Sequence, residues 1–259
     1  MANGYGVGQY RTKLNHIAKV IACVNGFELP DIVGLCEVEN DTVLSDLCRQ
    51  FSTHPYSFVH YDSPDRRGID VALLYQPKKW NIVCSRPVPV YLDSTTTTRD
   101  LLYVCMASIS TEKDTLHLIL CHLPSQLGGR AESEWKREKG RQVIMSVVDS
   151  VQKINQEAKI LVLGDFNSNE HKLPRLKYLE PSYANHNVQG THKYQGRWSN
   201  LDQVYCSSSL DGKTNCSIFA EDFMLEEDKK YGGVKPYRTN VFYGARSGYA
   251  DHLPLVVHL

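Results

Sequence analysis

The most constraining feature of the sequence is the stretch from residue 159 to residue 167. Four consecutive apolar residues, Ile160 to Leu163, are followed by Gly164. Such a run is too short for a helix and is typical of a strand that is buried on both faces. Asp165 and Asn167 come next, and in an extended chain the side chains at i and i+2 lie on the same face. We therefore expect a carboxylate and a carboxamide side by side at the edge of a sheet.

This pair has two interpretations. A carboxylate next to a carboxamide suits a hard cation, a water molecule and a phosphate oxygen. Aspartate and asparagine after a strand also form Asx turns for purely local reasons. Asp165 and Asn167 alone do not distinguish a site from a turn, so the other strands have to be considered.

Polar residues of catalytic type recur at the ends of other predicted strands. They are Glu37, His122, Asp202, Asp251 and His252. Each has a simpler explanation when it is taken alone: Glu37 suits the solvated rim of a sheet, and His122 suits a structural histidine. Their recurrence instead predicts one site at a sheet edge, where carboxylates hold a divalent metal and imidazoles handle protons.

Asp70 is unusual because it lies two residues into an apolar strand that starts at Ile69. Burying an unpaired charge is costly, so a buried Asp70 would need a partner. A solvent-facing position at the edge of the sheet explains Asp70 equally well.

The composition excludes several classes of protein. Lys and Arg number 29 and so do Asp and Glu, so the net charge is zero, which argues against coating nucleic acid by bulk electrostatics. The eight cysteines form no C-x-x-C pair, so we predict neither a cysteine zinc site nor a disulfide framework. No apolar run is long enough to span a bilayer, so we expect no stable membrane insertion. The protein would be cytoplasmic, or exported if a signal peptide has been removed.

The order of five motifs becomes specific when they are considered together. L-C-E-V-E, C-H-L-P-S, G-D-F-N, L-D-Q-V and A-D-H-L-P follow one another, and this order resembles the endonuclease/exonuclease/phosphatase superfamily, which includes deoxyribonuclease I. The likeness runs from about Leu14 to Leu259. It implies a four-layer α/β sandwich, with two mixed, mainly antiparallel β-sheets packed face to face and helices on the outside. We expect one domain over residues 1–259.

The resemblance assigns the central roles to five residues. Glu37 would ligate Mg²⁺ or Mn²⁺. Asp165 would orient or deprotonate the attacking water, and Asn167 would hold a phosphate oxygen. His252 would act as base or bind the phosphate, with Asp202 fixing its tautomer.

Four further residues take supporting roles by the same resemblance. Asp251 would reach the metal. His122 would bind phosphate or protonate the leaving group, with Asp70 as its buried partner. Arg99 would contact phosphate.

One departure from the family pattern concerns the metal. Members open with a core strand that carries a metal-binding asparagine, whereas this chain begins after such a strand. Asn3 lies in a Gly-rich segment and is not equated with that ligand. We therefore expect a sheet one strand short, in either a truncated chain or a member with weakened metal binding.

The function expected on these grounds is metal-dependent hydrolysis of a phosphoester by a monomer. A phosphodiesterase or nuclease comes first, with nucleic acid as one candidate substrate. Tyr194, Trp198, Tyr237 and Tyr243 would either stack on bases or pack their loops onto the body.

Two alternatives remain open. One is a phosphomonoesterase for inositol phosphates, with a basic pocket built from Lys229, Lys230, Lys235, Arg238 and Arg246. The other is a non-catalytic binding module that has lost its first metal ligand.

Overall fold

The computed structural model describes residues 6–26, 28–93, 96–110, 115–126, 128–183, 185, 187–239 and 248–259. The helices are α1 (Val7–Cys23), α2 (Asp41–Cys48) and α3 (Glu134–Ile154), with short 3₁₀ turns at Arg49–Phe51, Ser208–Leu210 and Asp222–Met224. Among the helices of these ranges, none is both long and apolar enough to cross a bilayer.

The strands follow one another along the whole chain. They are β1 (Ile32–Val38), β2 (Ser57–His60), β3 (Asp70–Tyr75), β4 (Trp80–Val88), β5 (Leu101–Ser108), β6 (Thr115–His122), β7 (Lys159–Asp165), β8 (Lys177–Tyr178), β9 (Ser182–Tyr183), β10 (His192–Tyr194), β11 (Arg197–Ser199), β12 (Asp202–Cys206), β13 (Asn215–Ile218), β14 (Leu225–Glu227), β15 (Val234–Pro236) and β16 (Leu255–His258). Two pairs, β10 with β11 and β14 with β15, form small separate ribbons.

The larger sheet has the strand order β4-β5-β6-β7-β12-β8. β6 and β7 are parallel, and the other neighbours in this sheet are antiparallel. A parallel pair needs a crossover connection, and α3 supplies it here. The sheet is therefore mixed and mainly antiparallel, as predicted.

Two three-stranded sheets, β1-β3-β2 and β16-β13-β9, pack on one face of the larger sheet. Leu73 of β3 and Cys216 of β13 both meet Leu118 and Leu161 of the larger sheet in this shared core. The opposite face of the larger sheet packs on α3, and α1 and α2 cover the outer side of β3. The layers therefore run helix, sheet, sheet, helix, which confirms the predicted four-layer α/β sandwich.

Strand β3 shows why this arrangement buries an apolar run completely. Successive side chains of a strand point to opposite faces. Val71 and Leu73 enter the core between the sheets, whereas Ala72 and Leu74 enter the core beneath α1 and α2. Both faces are covered, so the sequence of β3 is continuously apolar after Asp70.

Two segments form other secondary structure than their own sequences indicate. The sequence predicts a strand at 88–92, but β4 ends at Val88, and Tyr91 pairs instead with Thr97 just beyond it. The region before Arg66 reads as a loop, yet β2 forms there because its four residues bond to β3. Both differences come from pairing partners that a local pattern does not contain.

Strands β1 and β16 each bond to one neighbour among the described residues, β3 and β13 respectively. Both therefore lie at the edge of a three-stranded sheet on the same face of the larger sheet. The expectation of a sheet that is one strand short applies to this layer. Asn3, the residue discussed with it, lies outside the described residues.

Gly164 sets the spacing between β6 and β7. Its φ is 143°, and a Cβ at this position would overlap the carbonyl oxygen of Cys121. Glycine alone tolerates both the positive φ and this close approach. The resulting register places His122 opposite Asp165.

We expect Gly164→Ala to lower the free energy of unfolding by about 3 kcal/mol or more, since it adds backbone strain to overpacking. Chemical denaturation measures the change. Gly8→Ala is the matched control, because no atom lies within 4 Å of its Cβ position and alanine stabilises a helix by up to about 1 kcal/mol. Equal effects of the two substitutions would contradict the proposed role of Gly164.

Candidate active site

The ends of three neighbouring strands bring predicted residues together. The register pairs His122 of β6 with Asp165 of β7, and Asp165 with Asp202 of β12. Asp165 is buried, and so is His122. Residues that are far apart in the sequence thus form one row across the edge of the larger sheet.

His252 joins this row through Asp202, because its Nδ1 lies 2.6 Å from Oδ2 of Asp202. The chain segment before β16 is held in place by the backbone N–H of Leu253, which donates to the carbonyl of Thr191. A carboxylate that accepts from Nδ1 leaves Nε2 of the ring to face a substrate. The predicted His252–Asp202 pair is therefore formed.

The protonation of His252 follows from its carboxylate neighbours. Burial disfavours the imidazolium, but Asp202, Asp165 and Asp251 outweigh burial and raise the pKa of His252 to about 10. His252 is therefore positively charged at neutral pH. Such a ring can bind a phosphate oxygen and supply a proton.

Asp165 and Asn167 form the Asx turn that is one of the two interpretations of their sequence. The backbone N–H of Asn167 donates to Oδ1 of Asp165 at 2.7 Å, which is the geometry of an Asx turn. Nδ2 of Asn167 donates to Oδ2 of Asp165 at 3.0 Å and to the carbonyl of Leu123 at 2.9 Å. Asn167 therefore orients Asp165 within the turn, and its contact with a phosphate oxygen stays a prediction.

Asp165 and His122 are both shifted toward their neutral forms. Burial, followed by the charge of Asp202, raises the pKa of Asp165 above its ordinary range. Nε2 of His122 lies 3.4 Å from Oδ2 of Asp165. Burial and then the positive charges of Arg67 and His252 lower the pKa of His122 to about 4. A neutral imidazole and a charged imidazole in one site can divide the roles of base and acid.

The carboxylates at this edge form a donor set that fits a divalent cation. One ligand atom each from Asp165, Asp202 and His252 lies within 4.8 Å of the others, and the same holds for His192, Asp251 and His252. The carboxylate oxygens of Asp165, Asp202 and Asp251 are the ligand atoms in these two groups that suit Mg²⁺ or Mn²⁺. A cation would also offset the repulsion that raises the pKa of Asp165.

The two predicted metal ligands lie at the rim of the site. Glu37 is exposed, has a φ of 61° and occupies a bulge of β1, and its charge contributes to the raised pKa of Asp165. Asp251 is also exposed. Burial lowers the pKa of Lys13, and the charges of Asp251 and Glu37 oppose that shift, so Lys13 brings a cation near both carboxylates.

Arg99 does not take the predicted place at the phosphate. It is 2% exposed, and its guanidinium donates to the carbonyls of His122 and Leu123 at 2.9 and 3.1 Å and to Asp65 at 2.9 Å. Its donors are used inside the protein. Arg99 therefore positions the end of β6, and the phosphate contact predicted for it is not supported.

The predicted pairing of Asp70 with His122 is wrong. Ser63 donates to Asp70 through its backbone N–H and its hydroxyl, and the other oxygen of Asp70 lies 3.6 Å from His60. Nδ1 of His122 has no hydrogen-bond partner. The reason is topological: Asp70 begins β3, which belongs to the other sheet and lies beside β2.

Three residues near the site were not predicted from the sequence. The ring of His192 packs at a tilt against that of His252, with ring centroids 4.7 Å apart. Gln126 donates to the carbonyl of Asn167 at 2.9 Å, and Arg67 acts on His122 through its charge. His192 lies in a long polar connection, and its bridge to His252 arises only in the fold. A histidine in an unusually long loop was the only signal available for it.

We expect Asp202→Asn to lower the pKa of His252, because the substitution removes the charge that most strongly opposes burial. An NMR titration of the imidazole resonances measures the change. Asp211→Asn is the control, since Asp211 pairs with Lys177 on the surface. An unchanged pKa of His252 in Asp202→Asn would contradict the pairing as the cause of the shift.

Several solved structures share this fold. Truncated TDP2 from Caenorhabditis elegans is 19% identical with a TM-score of 0.62, covering 95% of this chain and 90% of that chain. The mannosyl-6-phosphatase Bt3783 of Bacteroides thetaiotaomicron is 17% identical with a TM-score of 0.65, covering 97% and 92%. The human Nocturnin catalytic domain, with bound sulfate anion, is 16% identical with a TM-score of 0.59, covering 95% and 84%. At these identities the likeness shows the fold.

A comparison with curated proteins finds no significant match. The model of the Endonuclease/Exonuclease/phosphatase family, in contrast, matches residues 2–259. This match spans nearly the whole sequence and includes all five motifs at the sheet edge. The chain therefore belongs to the endonuclease/exonuclease/phosphatase family.

Proposed function

We propose that this chain is a metal-dependent hydrolase that cleaves phosphodiester bonds, acting as a single domain and as a monomer. The observation that carries the proposal is the hydrogen bond of 2.6 Å between His252 and Asp202, next to the buried Asp165. It places a charged imidazole beside a buried carboxyl whose raised pKa makes it a strong proton acceptor once a bound cation has ionised it. This combination suits an anionic substrate attacked by water.

Each residue of the site has a definite task in this proposal. Asp165 accepts a proton from the attacking water and is oriented by Asn167. His252 donates a hydrogen bond from Nε2 to a non-bridging phosphate oxygen. His122, held neutral, donates a hydrogen bond to a phosphate oxygen, and the imidazolium of His252 supplies the proton that the leaving oxygen takes up.

Glu37 and Asp251 would hold the Mg²⁺ or Mn²⁺. When bound, the cation offsets phosphate charge and lowers the pKa of water.

The charge of the site favours a phosphodiester over a phosphomonoester. A diester carries one negative charge, whereas a monoester carries up to two at neutral pH. Glu37, Asp202 and Asp251 act on Asp165 or His252 through their negative charges, so a second negative charge on a substrate bound there would add repulsion. Arg67, half-exposed and close to His122, is the candidate for a direct phosphate contact in place of Arg99.

A phosphomonoesterase is the second candidate, because one structural neighbour is named a mannosyl-6-phosphatase. Only part of the basic pocket predicted in this chain for a phosphomonoesterase lies among the described residues. Lys235 lies 3.6 Å from Glu226, Lys230 lies over Tyr231, and Arg246 is outside the described residues. Among the aromatics considered for base stacking, Tyr194 is exposed and Trp198 packs into a small core, while Tyr243 is also outside the described residues.

The test compares bis(p-nitrophenyl) phosphate with p-nitrophenyl phosphate, each with Mg²⁺, Mn²⁺ or EDTA. We expect metal-dependent hydrolysis of the diester and slower hydrolysis of the monoester. Faster hydrolysis of the monoester would favour the phosphatase. Hydrolysis of neither, together with a melting temperature that Mg²⁺ does not raise, would favour a binding module.

We expect His252→Gln and Asp165→Asn each to lower kcat by about 10²-fold or more, since each removes a proton-transfer group. Both side chains keep their approximate shape, so the melting temperature should change little. His258→Gln, at an exposed position in β16, is the control and should retain full activity. Wild-type turnover in either site variant would remove that residue from the mechanism.

Two substitutions of Glu37 separate its proposed role as a metal ligand from the strain of its backbone. Glu37→Gly relieves the left-handed φ and should leave stability within about 1 kcal/mol of wild type. Glu37→Gln keeps the strain and removes the charge. We expect both to raise the Mg²⁺ concentration needed for half-maximal activity, measured by metal titration. An unchanged titration in both variants would show that Glu37 is not a ligand.

A further inference from the structure

A second group of ligating side chains lies at the junction of β2 and β3. His60 ends β2, Asp70 begins β3, and Asp62 lies in the connection between them. One ligand atom from each lies within 4.8 Å of the other two. The mechanism proposed above uses none of these three residues, which we call the His60 cluster.

The imidazole of His60 presents a buried nitrogen that no hydrogen bond satisfies. Its side chain is 2% exposed, and its Nε2 has no hydrogen-bond partner. Oδ2 of Asp70 lies 3.6 Å from this nitrogen, beyond hydrogen-bonding distance. A buried nitrogen left without a partner is costly.

The separation of these two atoms suits one ion between them. Zinc binds imidazole nitrogen and carboxylate oxygen at roughly 2.0–2.2 Å, so two ligand atoms of one ion lie roughly 3–4 Å apart. The distance of 3.6 Å between Nε2 and Oδ2 falls in this range. Asp62 is exposed and supplies a third ligand from the solvent side.

The surroundings orient both ligands for this task. Nδ1 of His60 lies 2.7 Å from a carboxylate oxygen of Asp41, so a proton on Nδ1 leaves the lone pair of Nε2 directed at Asp70. A carboxylate behind a ligating histidine is a common feature of metal sites. Oδ1 of Asp70 accepts from the backbone N–H of Ser63 at 3.1 Å and from its hydroxyl, which leaves Oδ2 for an ion.

A second unsatisfied acceptor lies beside the cluster. Oδ1 of Asp100 is buried without a hydrogen-bond partner. A cavity of about 10 Å³ lies between Asp70 and Asp100, with Tyr61 and Ser63 also in its wall. This volume is about that of one water molecule. A water there would connect Asp100 to the ligand carboxylate of Asp70.

We propose that His60, Asp62 and Asp70 bind one divalent transition-metal ion of the Zn²⁺ type, at a site distinct from the active site. One nitrogen and two carboxylate oxygens suit Zn²⁺ or Mn²⁺ better than Ca²⁺ or Mg²⁺, which prefer oxygen alone. The site contains no cysteine, so the cysteine spacing gave no indication of it.

The ion would stabilise the conformation of the connection between β2 and β3. That connection carries Asp65, which accepts from the buried Arg99, and Arg99 in turn donates to the carbonyl of His122. The proposed site is thus structural, and it stabilises a segment that borders the active site.

The test measures Zn²⁺ binding by equilibrium dialysis with metal analysis, together with the melting temperature, at neutral pH. The proteins are the wild type, Asp62→Asn, His60→Gln and the control His54→Gln, an exposed histidine beside Thr53. Each is also made with Glu37→Gln and Asp251→Asn, so that binding at the active site is weakened equally. Asp62 is exposed, so Asp62→Asn should fold even if His60→Gln does not.

We expect the wild type and His54→Gln to bind one Zn²⁺ more tightly than Asp62→Asn and His60→Gln, by about 10-fold or more. Zn²⁺ should raise the melting temperature of the first two only. Equal binding and equal melting shifts in Asp62→Asn and the wild type would overturn the proposal. Neither readout is activity, so failure of the proposed hydrolase would leave this result unaffected.

Discussion

The parallel pairing of β6 with β7 is the constraint on which the rest of the site depends. Glycine at position 164 lets the two backbones approach, and the pairing then sets His122 beside Asp165. The antiparallel partner β12 extends the same row to Asp202. Because α3 crosses over to join the parallel strands and packs on the outer face of the sheet, the helix layer and the site have one origin.

The pKa shifts in the site arise because several carboxylates lie close together at a buried edge of the larger sheet. Burial and then the charge of Asp202 raise the pKa of Asp165, and the imidazolium of His252 offsets part of this shift. His122, close to two cations instead, stays neutral. Strain is present at the same place, since Glu37 and Asn167 both have left-handed backbones. Such strain is typical of functional sites and is maintained by the surrounding structure.

Two histidine–carboxylate pairs in this protein differ in the distance between their facing atoms. His252 and Asp202 are 2.6 Å apart and share a proton directly. His60 and Asp70 are 3.6 Å apart, although both are nearly inaccessible to solvent. In the first pair, a charged hydrogen bond stabilises the partly buried carboxylate. The second pair has the separation expected of two ligand atoms bound to one ion.

The sequence by itself determined the polar strand ends and the turn at Asp165 and Asn167, because hydrophobic periodicity and turn chemistry are local properties. The four-layer sandwich was implied by the resemblance to the family. It also determined the partnership of His252 with Asp202, through the order of the motifs. Only the tertiary structure decided that Arg99 bonds to backbone carbonyls, that Asp70 faces His60, and that His192 packs against His252. These contacts join residues on strands and loops whose pairing no local pattern encodes. Which charged group meets which partner depends on the packing of the two sheets, and that packing is a property of the whole chain.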